Sequence, residues 1–152
     1  MKTKVLLITM LLLLIVGNVP AGEKVWMENF DKAKLEAKES GKYLFLNFSG
    51  SDWCGWCKKL SKEVFSQEDF LSFADKNLVL VNLDFPKFKQ QSSEIKEQNR
   101  KLLNQFGVRG FPTVVLLSPE GGVVNQTGYR AGGAAKYASH ILELIQQYEA
   151  KE

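Results

Sequence analysis

The sequence predicts a single α/β domain built on a mixed β-sheet, and three observations carry that prediction. Apolar, strand-like runs alternate along the chain with amphipathic helical stretches. The early strand runs are separated from each other by helices, which implies parallel neighbours joined by crossovers. The last two strand runs flank Pro119-Glu120-Gly121-Gly122, a turn that implies an antiparallel hairpin. A chain of 152 residues, 45% of them hydrophobic, is long enough to bury one core without cross-links.

The elements follow in order. Between Asn29 and Glu39, Phe30, Ala33, Leu35 and Ala37 sit among charges at roughly helical spacing, and Gly41 supplies the stop. Tyr43-Leu44-Phe45-Leu46-Asn47-Phe48 is too short for a buried helix and lacks the alternation of a half-exposed strand, so it reads as a central, buried strand. Ser49-Gly50-Ser51-Asp52 breaks that strand and offers cap-forming side chains to a helix starting near Cys54, which Leu60, Val64 and Phe65 continue. Ser66-Gln67-Glu68-Asp69 resembles a fresh cap for a short helix carrying Phe70, Leu71 and Phe73. Leu78 to Leu83 reads as a second buried strand, Asp84 to Ser93 as an exposed loop, and Ser93 to Phe106 as a helix ended by Gly107. Thr113 to Leu117 and Val123 to Thr127 are the hairpin strands, and a last helix runs from about Gly133 to Tyr148. No internal repeat, linker or low-complexity tract interrupts this order.

The amino terminus has a different grammar. Lys2 and Lys4 precede an apolar run from Val5 to Val16, and Val19 and Ala21 offer small side chains at the positions a signal peptidase inspects. Residues 1–21 therefore read as a signal peptide cleaved after Ala21, with residues 22–152 as the mature domain. A membrane span needs roughly 20 apolar residues, and Asn18 and Pro20 interrupt this run too early, so no stable membrane insertion is expected after cleavage. The leader holds two lysines and no acid, so cleavage lowers the formal charge of +3 by two and leaves the mature domain nearly neutral. That excludes the dense Lys/Arg face of a nucleic-acid binder.

Export matters for the two cysteines, because disulfides persist outside the cytosol. A bridge closing so short a loop as Cys54 to Cys57 removes little unfolded-state entropy, so the pair is there for chemistry. Structural zinc takes four protein ligands, and beyond these sulfurs the chain offers only His140, so no metal is expected. Disulfide exchange needs a thiolate, and a free thiol with a pKa near 8.5 is mostly protonated at neutral pH. Cys54 at the first turn of a helix faces unpaired N–H groups and the positive end of the macrodipole, with Lys58 and Lys59 nearby; such settings lower thiol pKa values to roughly 3.5 to 7.5. The three-residue spacing sets Cys57 almost one turn further on the same side, within reach of Cys54. Cys54 is thus the expected nucleophile and Cys57 the resolving thiol, while Gly55 and Trp56 between them tune the redox balance.

Trp53-Cys54-Gly55-Trp56-Cys57-Lys58 after an apolar strand, followed downstream by Gly110-Phe111-Pro112-Thr113 and a β-hairpin, resembles the thioredoxin-like family over roughly Phe30 to Tyr148. The pattern is most similar to its exported thiol-disulfide oxidoreductase branch, which includes the thioredoxin-like domain of DsbD and small disulfide isomerase-like proteins. The resemblance implies a three-layer sandwich with helices on both faces of the sheet, no cofactor, and a cis peptide before Pro112. It also implies substrate binding by Phe111 and Pro112. Beside them Trp53 reads as a shield for the disulfide and a flat platform for substrate rather than a mere packing residue, and Gly55 and Trp56 are expected to complete the binding surface. Thioredoxin itself carries a buried Asp in the strand before the motif and a Lys on the neighbouring strand; here Asn47 and Asn82 stand in those strands. Proton removal from Cys57 then falls to water, to Asp52 or to a more distant acid such as Glu63.

The expected partners are exported proteins with thiols or disulfides, plus a redox partner that resets the pair, in the periplasm, the extracellular space or a secretory lumen. A reductase or isomerase is expected rather than a strong oxidase. The rival reading is a redox-inert, chaperone-like module that holds client peptides at Phe111-Pro112. Trp26 reads as an N-terminal packing residue, His140 has no assigned role, and Lys87 to Ser93 reads as a solvated loop.

Overall fold

The computed structural model describes residues 26–151; the signal peptide expected at residues 1–21 lies outside the described residues. Helix α1 (Phe30–Ser40) is capped by the Asn29 side chain, which accepts from the Lys32 amide, and ends at Gly41, whose φ of 69° suits a residue without Cβ. Strand β1 (Tyr43–Ser49) follows and is buried almost throughout. Next come α2 (Gly55–Leu60) and, without a break, a π-helical turn (Ser61–Phe65) closed by the Ser66 amide on the Ser61 carbonyl at 3.0 Å. The sequence gives no sign of that change of pitch. Then follow α3 (Glu68–Asn77), β2 (Leu78–Asp84), α4 (Ser93–Gln105), β3 (Thr113–Leu117), β4 (Val123–Thr127) and α5 (Gly133–Glu149). The cap expected at Ser66 to Asp69 takes another form: Gln67 is the N-cap without a side-chain bond to the helix, and both Ser66 Oγ and Gln67 Nε2 donate backward to the Lys62 carbonyl.

The sheet runs β2-β1-β3-β4. β1 and β2 are parallel, with Asn47 opposite Asn82, as the intervening helices require. β3 lies antiparallel to β1 although α4 separates it from β2, and it pairs with β4 as the hairpin. Side chains alternate between two cores. Phe45, Leu78, Leu80, Val114 and Leu116 pack with Leu60, Val64, Phe65, Phe70, Tyr137 and Ile141 on the α2/α3/α5 face. Leu44, Leu46, Phe48, Val79, Val81 and Leu83 pack with Ala33, Ala37 and Leu102 on the α1/α4 face. The result is the three-layer sandwich with helices on both faces. Residues ahead of α1 extend the sheet at its β2 edge: the Met27 amide donates to the Leu80 carbonyl, and the Asn82 amide to Met27's.

Candidate active site

β1 delivers the chain to a tight turn at the carboxyl end of the central strand. The amides of Trp53 and Cys54 both donate to the Gly50 carbonyl (3.2 and 2.8 Å). Gly50 must lack a side chain, because a Cβ there would run into the Trp53 indole. Ser51 ties the turn to β2, its amide and hydroxyl donating to Asp84 at 2.8 and 2.6 Å.

Cys54 itself is the N-cap of α2. Its Sγ accepts from the Cys57 amide at 3.2 Å, so the cap is a sulfur rather than the Ser51 or Asp52 side chain expected from sequence. Cys54 and Cys57 are joined as a disulfide with Cα atoms 5.3 Å apart, and they are only 7% and 5% exposed. A cavity of about 640 Å³, open to solvent, is bordered by Cys57. Asn47, Ser49, Ser51, Ser61 and Asn82 contribute to its wall, together with Lys58, Lys62, Trp26 and Phe65. Asn47 Nδ2 donates to Asn82 Oδ1 at 3.2 Å, while the buried Asn47 Oδ1 has no hydrogen-bond partner among the described residues.

The two acids offered above as acceptors for the Cys57 proton are engaged elsewhere, and neither lines the cavity. Asp52 Oδ1 accepts from the Lys87 amide (3.0 Å), and Oδ2 from the amides of Phe88 and Lys89 (2.8 and 2.9 Å). Desolvation raises the Asp52 carboxyl's pKa, but these backbone hydrogen bonds lower it by more and leave it below the ordinary carboxylate value. Glu63 accepts from the Tyr129 hydroxyl at 2.6 Å and pairs with Lys59 at 3.7 Å. That hydrogen bond, then desolvation, holds the Tyr129 phenol above its usual pKa.

The aromatic residues expected at the site fall into two groups. Trp53 donates from Nε1 to the Phe85 carbonyl at 2.8 Å, meets Phe111 edge-on with centroids 5.9 Å apart, and carries Lys87 Nζ 4.2 Å from its ring centroid. Phe111 in turn stacks on Phe85 at 5.1 Å, and the Phe111–Pro112 peptide is cis. Trp56, 57% exposed, lies 5.1 Å from Tyr129, with Lys59 Nζ over both rings. Phe85 and Tyr129 are the neighbours sequence reasoning missed; each is brought in by tertiary contact, and no local motif marks it. Trp26 packs against Phe45 and Phe65, as expected of a packing residue. His140 sits apart, beside Thr127 at 3.1 Å, its pKa lowered by burial and by Arg130 despite Glu143.

A three-layer sandwich whose central strand leads into a cysteine pair at a helix N-terminus defines a thioredoxin-type thiol-disulfide oxidoreductase. The chain belongs to the thioredoxin-like domain family, whose match covers residues 30–142. It is 34% identical over 127 residues to the disulfide bond reductase DsbH of Chlamydia pneumoniae, covering 84% of this chain and 76% of that protein. It is 31% identical over 156 residues to the thioredoxin-related protein DsbJ of the same organism, covering 94% of this chain but 44% of DsbJ. The solved structure of a DsbH oxidoreductase superposes with a TM-score of 0.77 at 32% identity, covering 81% of this chain and 85% of that one.

Proposed function

We propose that the chain is an exported enzyme that exchanges disulfides with protein substrates, acting as a reductase or isomerase rather than a strong oxidase. The observation that carries this reading is the unequal setting of the two sulfurs: Cys54 Sγ caps a helix, whereas Cys57 borders a cavity with asparagines, serines and lysines in its wall. In the reduced enzyme the Cys54 thiolate attacks a substrate disulfide, forming a mixed disulfide and releasing one substrate thiolate. Cys57, after losing its proton, attacks the Cys54 sulfur. The second substrate thiol leaves, the Cys54–Cys57 disulfide forms, and two electrons and two protons have passed to the substrate; a redox partner must then return them. The cavity has polar partners and room enough to admit water, which serves as the acceptor for the Cys57 proton.

The bias toward reduction has a physical argument. A strong oxidant needs a heavily stabilised Cys54 thiolate, yet Lys58 Nζ donates to the Asp52 carbonyl and Lys59 sits over Trp56 and Tyr129. The relative named a disulfide bond reductase points the same way. Phe111 and Pro112 form the lip for an extended substrate segment, with Trp53, Gly55 and Trp56 beside it. Among the described residues no helix is long and apolar enough to cross a membrane, and residues 1–21 supply the export signal in this reading.

Dithiothreitol-coupled reduction of insulin tests the activity: turnover is expected, and a folded protein without turnover overturns the proposal. A reduction potential near −270 mV would mark a reductase, and one near about −120 mV an oxidase. N-terminal sequencing of protein recovered from outside the cytosol should begin at Gly22.

A further inference from the structure

The loop after β2, residues 85–91, takes no part in the exchange chemistry, yet it is pinned to the active-site turn. The amides of Lys87, Phe88 and Lys89 converge on the carboxylate of Asp52, the residue immediately before Trp53. Lys89 Nζ reaches Ser51 Oγ at 3.3 Å, Lys87 Nζ covers the Trp53 ring, and the Trp53 indole N–H holds the Phe85 carbonyl. With its amides turned inward on one carboxylate, the loop carries Phe88 at 80% exposure, above every other large apolar side chain described. A lone exposed phenylalanine on a slack loop would be unremarked. Here the backbone beneath it is fixed, so contact with that ring costs a partner little ordering entropy.

The loop's own charges are cationic. Lys87 and Lys89 are exposed on it, whereas Lys58 and Lys59 are turned to the Asp52 carbonyl and to Glu63. Of the acids beside the loop, Asp52 is engaged by the loop amides and Asp84 by Ser51, and Glu28 stands exposed across a groove from Lys89. We propose that residues 85–89 form a second docking wall, apolar at Phe88 and cationic at Lys87 and Lys89, which receives an acidic segment bearing an apolar side chain in the protein partner. This rests on the reading of Cys54–Cys57 as the exchange site and adds to it the chemical class of partner selected.

The test uses the reduced full domain and two disulfide-bonded peptides of equal length, one with Glu and Leu flanking the cystine and one with Lys and Ser. Bis(2-hydroxyethyl) disulfide, too small to touch the wall, reads the reactivity of the sulfur alone. The acidic peptide is expected to react about tenfold faster than the basic one at low salt, with the gap closing in 1 M salt. Phe88→Ala should slow the acidic peptide about threefold to tenfold, and Phe88→Glu should slow it further, with the small disulfide unaffected in both. So exposed a position tolerates both changes without loss of fold. Equal rates on the two peptides overturn the proposal, as does an equal slowing of the small disulfide, which would make the loop a determinant of sulfur reactivity. Equal peptide rates together with Phe88-dependent binding to anionic lipid vesicles would reassign the wall to a membrane surface. A wild-type chain unreactive even toward the small disulfide would instead overturn the oxidoreductase reading, and the docking wall with it.

Discussion

The turn that carries the disulfide faces two ways, and the two sides are built from different materials. Toward solvent stand Trp53, Trp56, Phe111 and Tyr129, and the first, second and fourth are each oriented by a hydrogen bond or a cation over the ring. Behind Cys57 lies a cavity with asparagines and serines in its wall, and no carboxylate lines it among the described residues. The apolar side gains from meeting another protein, since rings exposed to water recover free energy on being covered. The cavity side, where asparagines, serines and two lysines stand beside Trp26 and Phe65, has room for water and suits the passage of protons. The contrast supports the proposed division of one short motif between two surroundings, with recognition on the aromatic side and proton traffic on the cavity side of Cys57.

The most severe way to probe this division is at the sulfurs. Cys54→Ser should abolish insulin reduction while leaving any peptide binding at Phe111-Pro112 intact, which also separates the enzyme from a redox-inert client holder. Cys57→Ser should retain the first attack and accumulate a mixed disulfide, visible as an added mass on a non-reducing gel. On the outer side, Gly50→Ala forces the Trp53 indole off its seat. Overpacking of this kind costs about 1–3 kcal/mol, readable by urea unfolding, and the displaced indole should also lower the rate with protein substrates.

On the inner side, Asn47→Asp introduces a carboxyl beside Cys57. Burial raises such a group's folded pKa above its unfolded value, so stability is fullest at low pH and declines as pH rises and the acid ionises, by about 1–3 kcal/mol. Over the same interval the Cys57 step should accelerate, because the ionised carboxylate is a better acceptor than water. A variant whose stability and resolution rate show no new pH dependence would break the assignment of proton traffic to the cavity. The smallest effect belongs to Asp52. Its folded pKa is depressed, so its contribution is present above the unfolded value and is lost as pH falls through the lower folded one. The amides of Lys87, Phe88 and Lys89 should therefore shift together in NMR spectra only below about pH 4.

Much of this was legible because it is local. The buried run Tyr43 to Phe48, the stop at Gly41, the hairpin turn at Pro119 to Gly122 and the pairing distance of the cysteines all follow from neighbours in sequence. What escaped depends on long-range encounters. Asp52 looked like a helix cap or a base because its partners stand some 35 residues away, in a loop with no periodicity. Cys54 took over the cap because the Gly50 turn brings its own sulfur onto the Cys57 amide. The helix-separated strands β1 and β2 pair in parallel and the last two form the antiparallel hairpin, as expected, while the seating of that hairpin beside β1 is a long-range choice that crossover length does not decide. Trp56, Lys59 and Glu63 stand at helical i,i+3 and i,i+4 spacing, but Tyr129, which joins them from the segment after β4, is connected to them by no spacing rule.

Met27 is bonded along the β2 edge, and the neighbouring Trp26 forms part of the wall of the cavity behind Cys57. The edge of β2 at Leu80 and Asn82 is thereby already paired within the chain, so the backbone groups an unprotected edge would offer to another strand are spent on Met27.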